Sequence, residues 1–167
     1  MAIEVSIKGL ENLDNATGEL GRWGKKPFSG KASLRIKKLW ATENLKTFKS
    51  KGKSIGEKWK PLSPDYATWK KKNFPSRPLL VLRGDLRESV TKTNSKLMIF
   101  NNKNGRQLII GTRVPYASVH NYGRKKKPRI PMRKFIKVNQ KLVNSWAKEL
   151  GKDAELAMKG SKRWQGR

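Results

Sequence analysis

The chain has 167 residues and no cysteine, which suits one domain with its own core and excludes a disulfide framework and thiolate metal sites. Forty Lys and Arg face twelve Asp and Glu, a formal charge of +28, so the protein repels itself in isolation and should meet a polyanion: nucleic acid, an acidic protein surface or anionic lipid. Its apolar runs, such as Leu79–Leu82 and Leu97–Phe100, are far too short to span a bilayer, and Met1–Ile7, interrupted by Glu4, does not read as a signal peptide.

Ile3, Val5 and Ile7 alternate, which predicts a strand over Ile3–Lys8 with one buried face. The next stretch, with Gly18, Gly21, Gly24, Pro27 and Gly30, allows a short helix and ends as a loop. Residues 31–49 predict a helix with Leu34, Ala41, Leu45 and Phe48 on one side and Trp40 widening the stripe. A Gly/Lys/Ser/Pro connector comes next. Ser63 as N-cap, Pro64 at the first position and Asp65 at the positive end open another helix, which NFPSRP stops. GDLRESV predicts a short one, with Asp85 as cap or first-turn acid and Leu86 and Val90 on one face. KLMIF and QLIIGT flank a turn containing Asn104 and Gly105, the strongest short-range hairpin signal. PYASVHNYG reads as a turn or two of helix, stopped by Gly123 in the left-handed conformation. Beyond a basic loop, FIKVNQKLVNSWAKELGKDAELAMK predicts a long amphipathic helix. Its stripe is Val138, Leu142, Val143, Trp146, Leu150, Ala154 and Ala157, weakened at Gly151.

This order predicts an α+β fold. A small antiparallel sheet, the N-terminal strand plus the 97–111 hairpin, is packed by a long helix from the N-terminal half and a long C-terminal helix. Residues 1–160 are expected to form one domain and 161–167 a basic flexible tail.

The charge is uneven. Between Glu88 and Glu149 lie sixty residues with fifteen basic side chains and no acid. Seven of these crowd one segment: Arg124, Lys125, Lys126, Lys127, Arg129, Arg133 and Lys134. Lysine decorating solvated faces is the plainer reading, but solubility does not require so lopsided a balance. His120 is the one histidine. Nucleophilic hydrolysis would need it beside an orienting acid, and the sequence around it supplies none. The scattered acids lack metal-ligand spacing, and Asp65 and Asp85 read as helix-start charges rather than a two-carboxylate site. No glycine array resembles a phosphate loop. There is no paired-cysteine finger, zipper or RRM-like aromatic motif. Trp40 and Trp146 sit on apolar stripes, whereas Trp59, Trp69 and Trp164 lie among lysines and are open to base stacking. His120 is therefore expected to be a polar ring packed at the end of a short helix.

Four stretches, GEKWKPLSPDYATWKKK, PLLVLRGDLRESV, IIGTRVPYASVHNYG and IPMRKFI, succeed one another at set spacings. Together, over about residues 56–140, they resemble the phage virion morphogenesis family, the Mu-like tail completion proteins. The family's Trp-x-Pro-Leu falls on Trp59, Pro61 and Leu62, and its Gly-x-Leu-x-x-Ser segment, with a leucine ahead of it, on Leu82, Gly84, Leu86 and Ser89. The hairpin ends in Gly111 and Thr112. The Tyr-Ala-x-x-His-x-x-Gly turn is Tyr116, Ala117, His120 and Gly123, and Pro-x-Arg-x-Phe is Pro131, Arg133 and Phe135. Asn121 stands where the family usually has Gln, and Ile136 where Leu is common. The opening IEVSIKGLENL is also similar to head-to-tail joining and tail terminator proteins.

The resemblance implies a structural virion protein without catalytic activity or cofactor. It would act at the head–tail junction as a ring, with hexameric symmetry in this group. The ring would cap the tail tube, join it to the head connector and leave a channel for DNA. Its place would be the virion, after assembly in the host cytoplasm, without membrane contact. The seven basic residues from Arg124 to Lys134 would then face a partner or DNA. A stand-alone basic nucleic-acid-binding protein is the alternative, and a small hydrolase using His120 the third reading.

Overall fold

A computed structural model describes residues 1–6, 18–28, 30–127 and 129–164. The elements are β1 (Ala2–Ser6), α1 (Gly18–Lys25), α2 (Lys31–Lys49), a 3-10 turn at Lys53–Ile55, α3 (Pro64–Asn73), α4 (Asp85–Thr91), β2 (Met98–Lys103), β3 (Gln107–Thr112), α5 (Ala117–Tyr122) and α6 (Gln140–Trp164). The expected α+β class is what the protein has. The chain falls into two units, one of Met1, 41–98 and 112–138, the other of 2–40, 99–111 and 139–167.

The second unit carries the sheet, in the order β1-β3-β2. β1 runs antiparallel to β3, with Ile3 opposite Ile110 and Val5 opposite Leu108. Leu108 and Ile110 are fully buried, so their alternation marks the inward face of the sheet. Ile7 and Lys8, expected to extend the first strand, lie outside the described residues.

β2 turns into β3 through Asn104 and Gly105, both at positive φ (52° and 75°), with the Arg106 amide donating to the Lys103 carbonyl at 3.0 Å. That is a type I′ turn, whose twist matches the strands it joins. The Phe28 amide donates to the Gly105 carbonyl at 2.9 Å, and the Asn102 side-chain amide donates back to the Phe28 carbonyl. Phe28 is thereby pinned to the hairpin and fully buried. The glycine-rich segment holds a short helix through Lys25 and leaves it at residues 26–28, as expected, and α1 packs on α6 with Gly21 and Gly24 buried.

Two apolar stripes differ from expectation. On α2 the buried positions include Ala32, Ile36, Trp40, Ala41, Asn44, Thr47 and Phe48, whereas Leu34 and Leu45 are exposed. The real face includes small and polar residues that a count of large apolar side chains passes over. α6 begins at Gln140 rather than at Phe135, because the Asn139 side chain accepts the Leu142 amide at 2.9 Å and caps the helix. Leu142, Trp146 and Leu150 are buried as expected, but Val143 is exposed. α6 runs on to Trp164.

Within this unit α6 is tied to the start of α2 by charge. Arg35 donates to the carboxylates of Glu149 and Asp153, and Asp153 also accepts the Ala32 amide at 2.9 Å. A carboxylate thus sits at the positive end of α2. Lys152 first, and Arg35 after it, hold the Glu149 carboxyl below its ordinary value. A depressed carboxylate stabilises the fold above its unfolded pKa and loses that contribution as pH falls through the folded value. The melting temperature should therefore drop between about pH 5 and pH 3, and Glu149→Gln should make the drop shallower. Identical slopes for the two proteins would show that Glu149 carries none of it.

Candidate functional site

Residues 131–139 belong to no helix or strand, yet Arg133, Phe135 and Ile136 are buried. Their peptide groups are satisfied singly. The Arg133 amide donates to the His120 carbonyl at 2.8 Å. The amides of Phe135 and Ile136 both donate to the Asn121 side-chain oxygen, each at 3.0 Å. The Trp59 indole donates to the Lys134 carbonyl at 2.7 Å. Its ring meets Phe48 edge-on at 5.4 Å, and Phe48 in turn lies 5.8 Å from Phe135.

The Arg133 side chain reaches the other way. Its guanidinium donates from Nε to the Lys60 carbonyl and from Nη2 to the Pro61 carbonyl, both at 2.7 Å. Gly123 ends α5 at φ 78° and ψ 171°, not in the left-handed helical conformation expected of a helix stop but in a region reserved almost wholly for glycine. A Cβ there would lie 3.0 Å from the Met132 nitrogen and 3.1 Å from the Ile130 carbonyl oxygen. The glycine is needed for this close approach of two backbones.

A second pair of motifs meets at two buried hydroxyls. Thr112, at the end of β3, donates to Ser89 of α4 at 2.7 Å, and Ser89 donates to the Leu86 carbonyl at 2.9 Å. Thr112 also accepts the Val114 amide at 3.1 Å. Gly84 precedes α4 at φ 112°, with Asp85 in the first turn as expected.

These motifs border a cleft of about 830 Å³ within the first unit, lined in part by Leu62, Leu82, Gly84, Leu86, His120 and Pro131. Lys70, Arg83, Arg129 and Arg133 also line it, against a single acid among the described residues, Asp85. Lys70 and Arg133 are each 5% exposed. Lys70 donates to the Pro78 carbonyl at 2.7 Å. Burial, and then the Arg133 charge, push the Lys70 pKa down. Burial does the same to Arg133. His120, placed edge-on to Tyr116 at 5.8 Å, has its pKa lowered by burial and then by Arg133. The neutral imidazole is therefore favoured. Burial, then Asp85, raises the Tyr116 hydroxyl against the opposing pull of Arg83.

The structure divides the seven basic residues. Lys125, Lys126, Lys127 and Arg129 are exposed, and the segment is closed at its ends by reciprocal backbone bonds between Arg124 and Ile130 at 2.8 and 3.0 Å. Arg133 instead is buried among carbonyls, and Lys134 pairs with Glu57 at 3.2 Å. Neighbouring in sequence makes these two read as a continuation of the loop, but they lie on the buried return segment. Trp59 is packed in the core, whereas Trp69 is exposed and stacks on Tyr66 at 5.3 Å. The Trp164 side chain lies outside the described ones. Sequence reasoning misses Lys70, hidden in a run of lysines, and sees in Asn121 only a departure from Gln.

The family model described as the phage virion morphogenesis family matches residues 36–152. An uncharacterized protein of Methanocaldococcus jannaschii is 38% identical over 102 residues, covering 61% of this chain and 69% of that protein. No solved structure matches the chain significantly.

Asn121→Ala should orphan two buried amides at once. A loss on the order of 1–3 kcal/mol per donor is expected, read as a lowered denaturation midpoint. A change no larger than that of an exposed substitution would show that water replaces the side chain.

Proposed function

This chain belongs to the phage virion morphogenesis family, and we propose that it acts at the head–tail junction as a tail completion or terminator protein, assembling into a hexameric ring. The ring would cap the tail tube, join it to the head connector and leave a lumen for DNA. The observation that carries this reading is the exposed cluster Lys125, Lys126, Lys127 and Arg129 on a segment closed by the Arg124–Ile130 bridge. A positive surface so placed speeds and orients docking on an acidic partner. Closed rings arise from heterologous contacts between copies.

His120 supports a structural part in this account. Its carbonyl holds the Arg133 amide, and its ring faces Tyr116. One observation favours nucleic-acid binding as the second reading: the exposed Tyr66–Trp69 stack is followed by exposed Lys71 and Lys72, a combination suited to single-stranded bases.

Negative-stain imaging of the purified chain separates the two readings. Closed rings, or density at the neck of virions, support the junction role; a monomer that binds DNA one-to-one supports the other. Replacing Lys125, Lys126 and Lys127 with Gln should move the melting temperature by no more than about 2 °C. The same variant should reduce the fraction of tails joined to filled heads, most clearly at low salt, where screening is least. Normal joining at every ionic strength would remove the docking role from this loop.

A further inference from the structure

The cleft bordered by α3, α4 and residues 129–133 has a charge pattern that the fold alone does not require. Lys70 and Arg133 are both more than nine-tenths buried, and both are held by main-chain carbonyls rather than carboxylates. Burying like charges near each other without an acid costs stability. Buried cations gathered in a cleft are a physical reason to look for a ligand there. Around them the wall is apolar: Leu62, Leu80, Val81, Leu82, Leu86 and Pro131. Leu80 holds φ 60°, a strained backbone for a side chain of that size. At about 830 Å³ the cleft falls within the range of ligand-binding cavities.

We propose that this cleft is a socket for a short acidic, apolar peptide segment of a different protein, with a carboxylate received beside Lys70 and Arg133 and apolar side chains against the leucine wall. The proposal rests on the assembly reading above and names the chemistry of one partner. A second copy of this chain is a poor occupant, since it carries twelve acids against forty bases. Several of those acids are already engaged in ion pairs, Glu57 with Lys134 and Glu149 with Arg35 among them. A nucleic-acid backbone would meet the cations but has no apolar body for the leucine wall. Arg129 belongs both to the cleft and to the exposed basic segment, and a cation so shared would steer an acidic segment inward.

Fluorescence anisotropy on the full chain tests this, using a labelled peptide of alternating Leu and Glu, its Leu/Gln analogue and an oligothymidylate. The Leu/Glu peptide should bind at least about tenfold more tightly than either control. Lys70→Met should weaken it about tenfold while the melting temperature holds or rises, because a desolvated charge has been removed. Arg83→Glu at the exposed rim should weaken it too, and carries the test if Lys70→Met fails to fold. The triple Gln variant of Lys125, Lys126 and Lys127 should slow association and leave dissociation unchanged. Equal binding of the Leu/Glu and Leu/Gln peptides, or binding indifferent to both Lys70→Met and Arg83→Glu, would overturn the proposal. So would oligothymidylate binding as tight as the peptide. Rings seen by imaging with no peptide binding would refute the socket and leave the junction role standing; peptide binding by a chain that never forms rings would do the reverse.

Discussion

A chain segment that is buried but belongs to neither helix nor sheet must find a partner for each peptide group separately. Residues 131–136 are under that constraint, and the first unit is arranged to meet it. Asn121 gives one oxygen to two successive amides, the His120 carbonyl takes a third, and the Trp59 indole answers a carbonyl. Arg133 passes the same service on to Lys60 and Pro61. Stretches more than seventy residues apart in sequence are therefore one hydrogen-bonded assembly. The Trp-x-Pro-Leu and Pro-x-Arg-x-Phe motifs are its two ends.

The same constraint explains what is legible in the sequence. The hairpin, β1, α3 and α4 are readable because each announces itself locally, through alternation, an Asn-Gly pair, or a Ser-Pro-Asp start. Leu34 and Leu45 mislead because a stripe through the largest side chains leaves out Ala32, Asn44 and Thr47, where the buried face runs. Arg133 misleads for a different reason. Guanidinium groups usually read as surface charge, and nothing local says that two carbonyls seventy residues upstream will accept its hydrogen bonds. Lys70 is hidden in the same way, since its neighbours Lys71 and Lys72 are exposed. Burial of a cation is a tertiary fact, and a single sequence carries no periodicity for it.

The few acids explain the surface. Glu149 and Asp153 hold Arg35, Glu57 holds Lys134 and Lys137, and Glu88 holds Lys92. Acids used to fasten helices and segments together are not available to neutralise the exterior. Much of the basic excess is thus left facing outward, in contrast to the two cations buried in the cleft. Such a molecule gains solubility from repulsion between copies, and crowding those copies into one assembly calls for opposite charge from elsewhere.

The pairing of Ile3 with Ile110 joins positions more than a hundred residues apart. β1 is made more than a hundred residues before β3 and must wait for the hairpin before it has this neighbour. Until β1 docks, β3 has β2 on one side and an open edge on the other, which is an invitation to pair with another chain. High contact order of this kind slows folding. The lysine excess has a use at that moment as well: nascent chains that repel one another are kept apart while the sheet waits for its third strand.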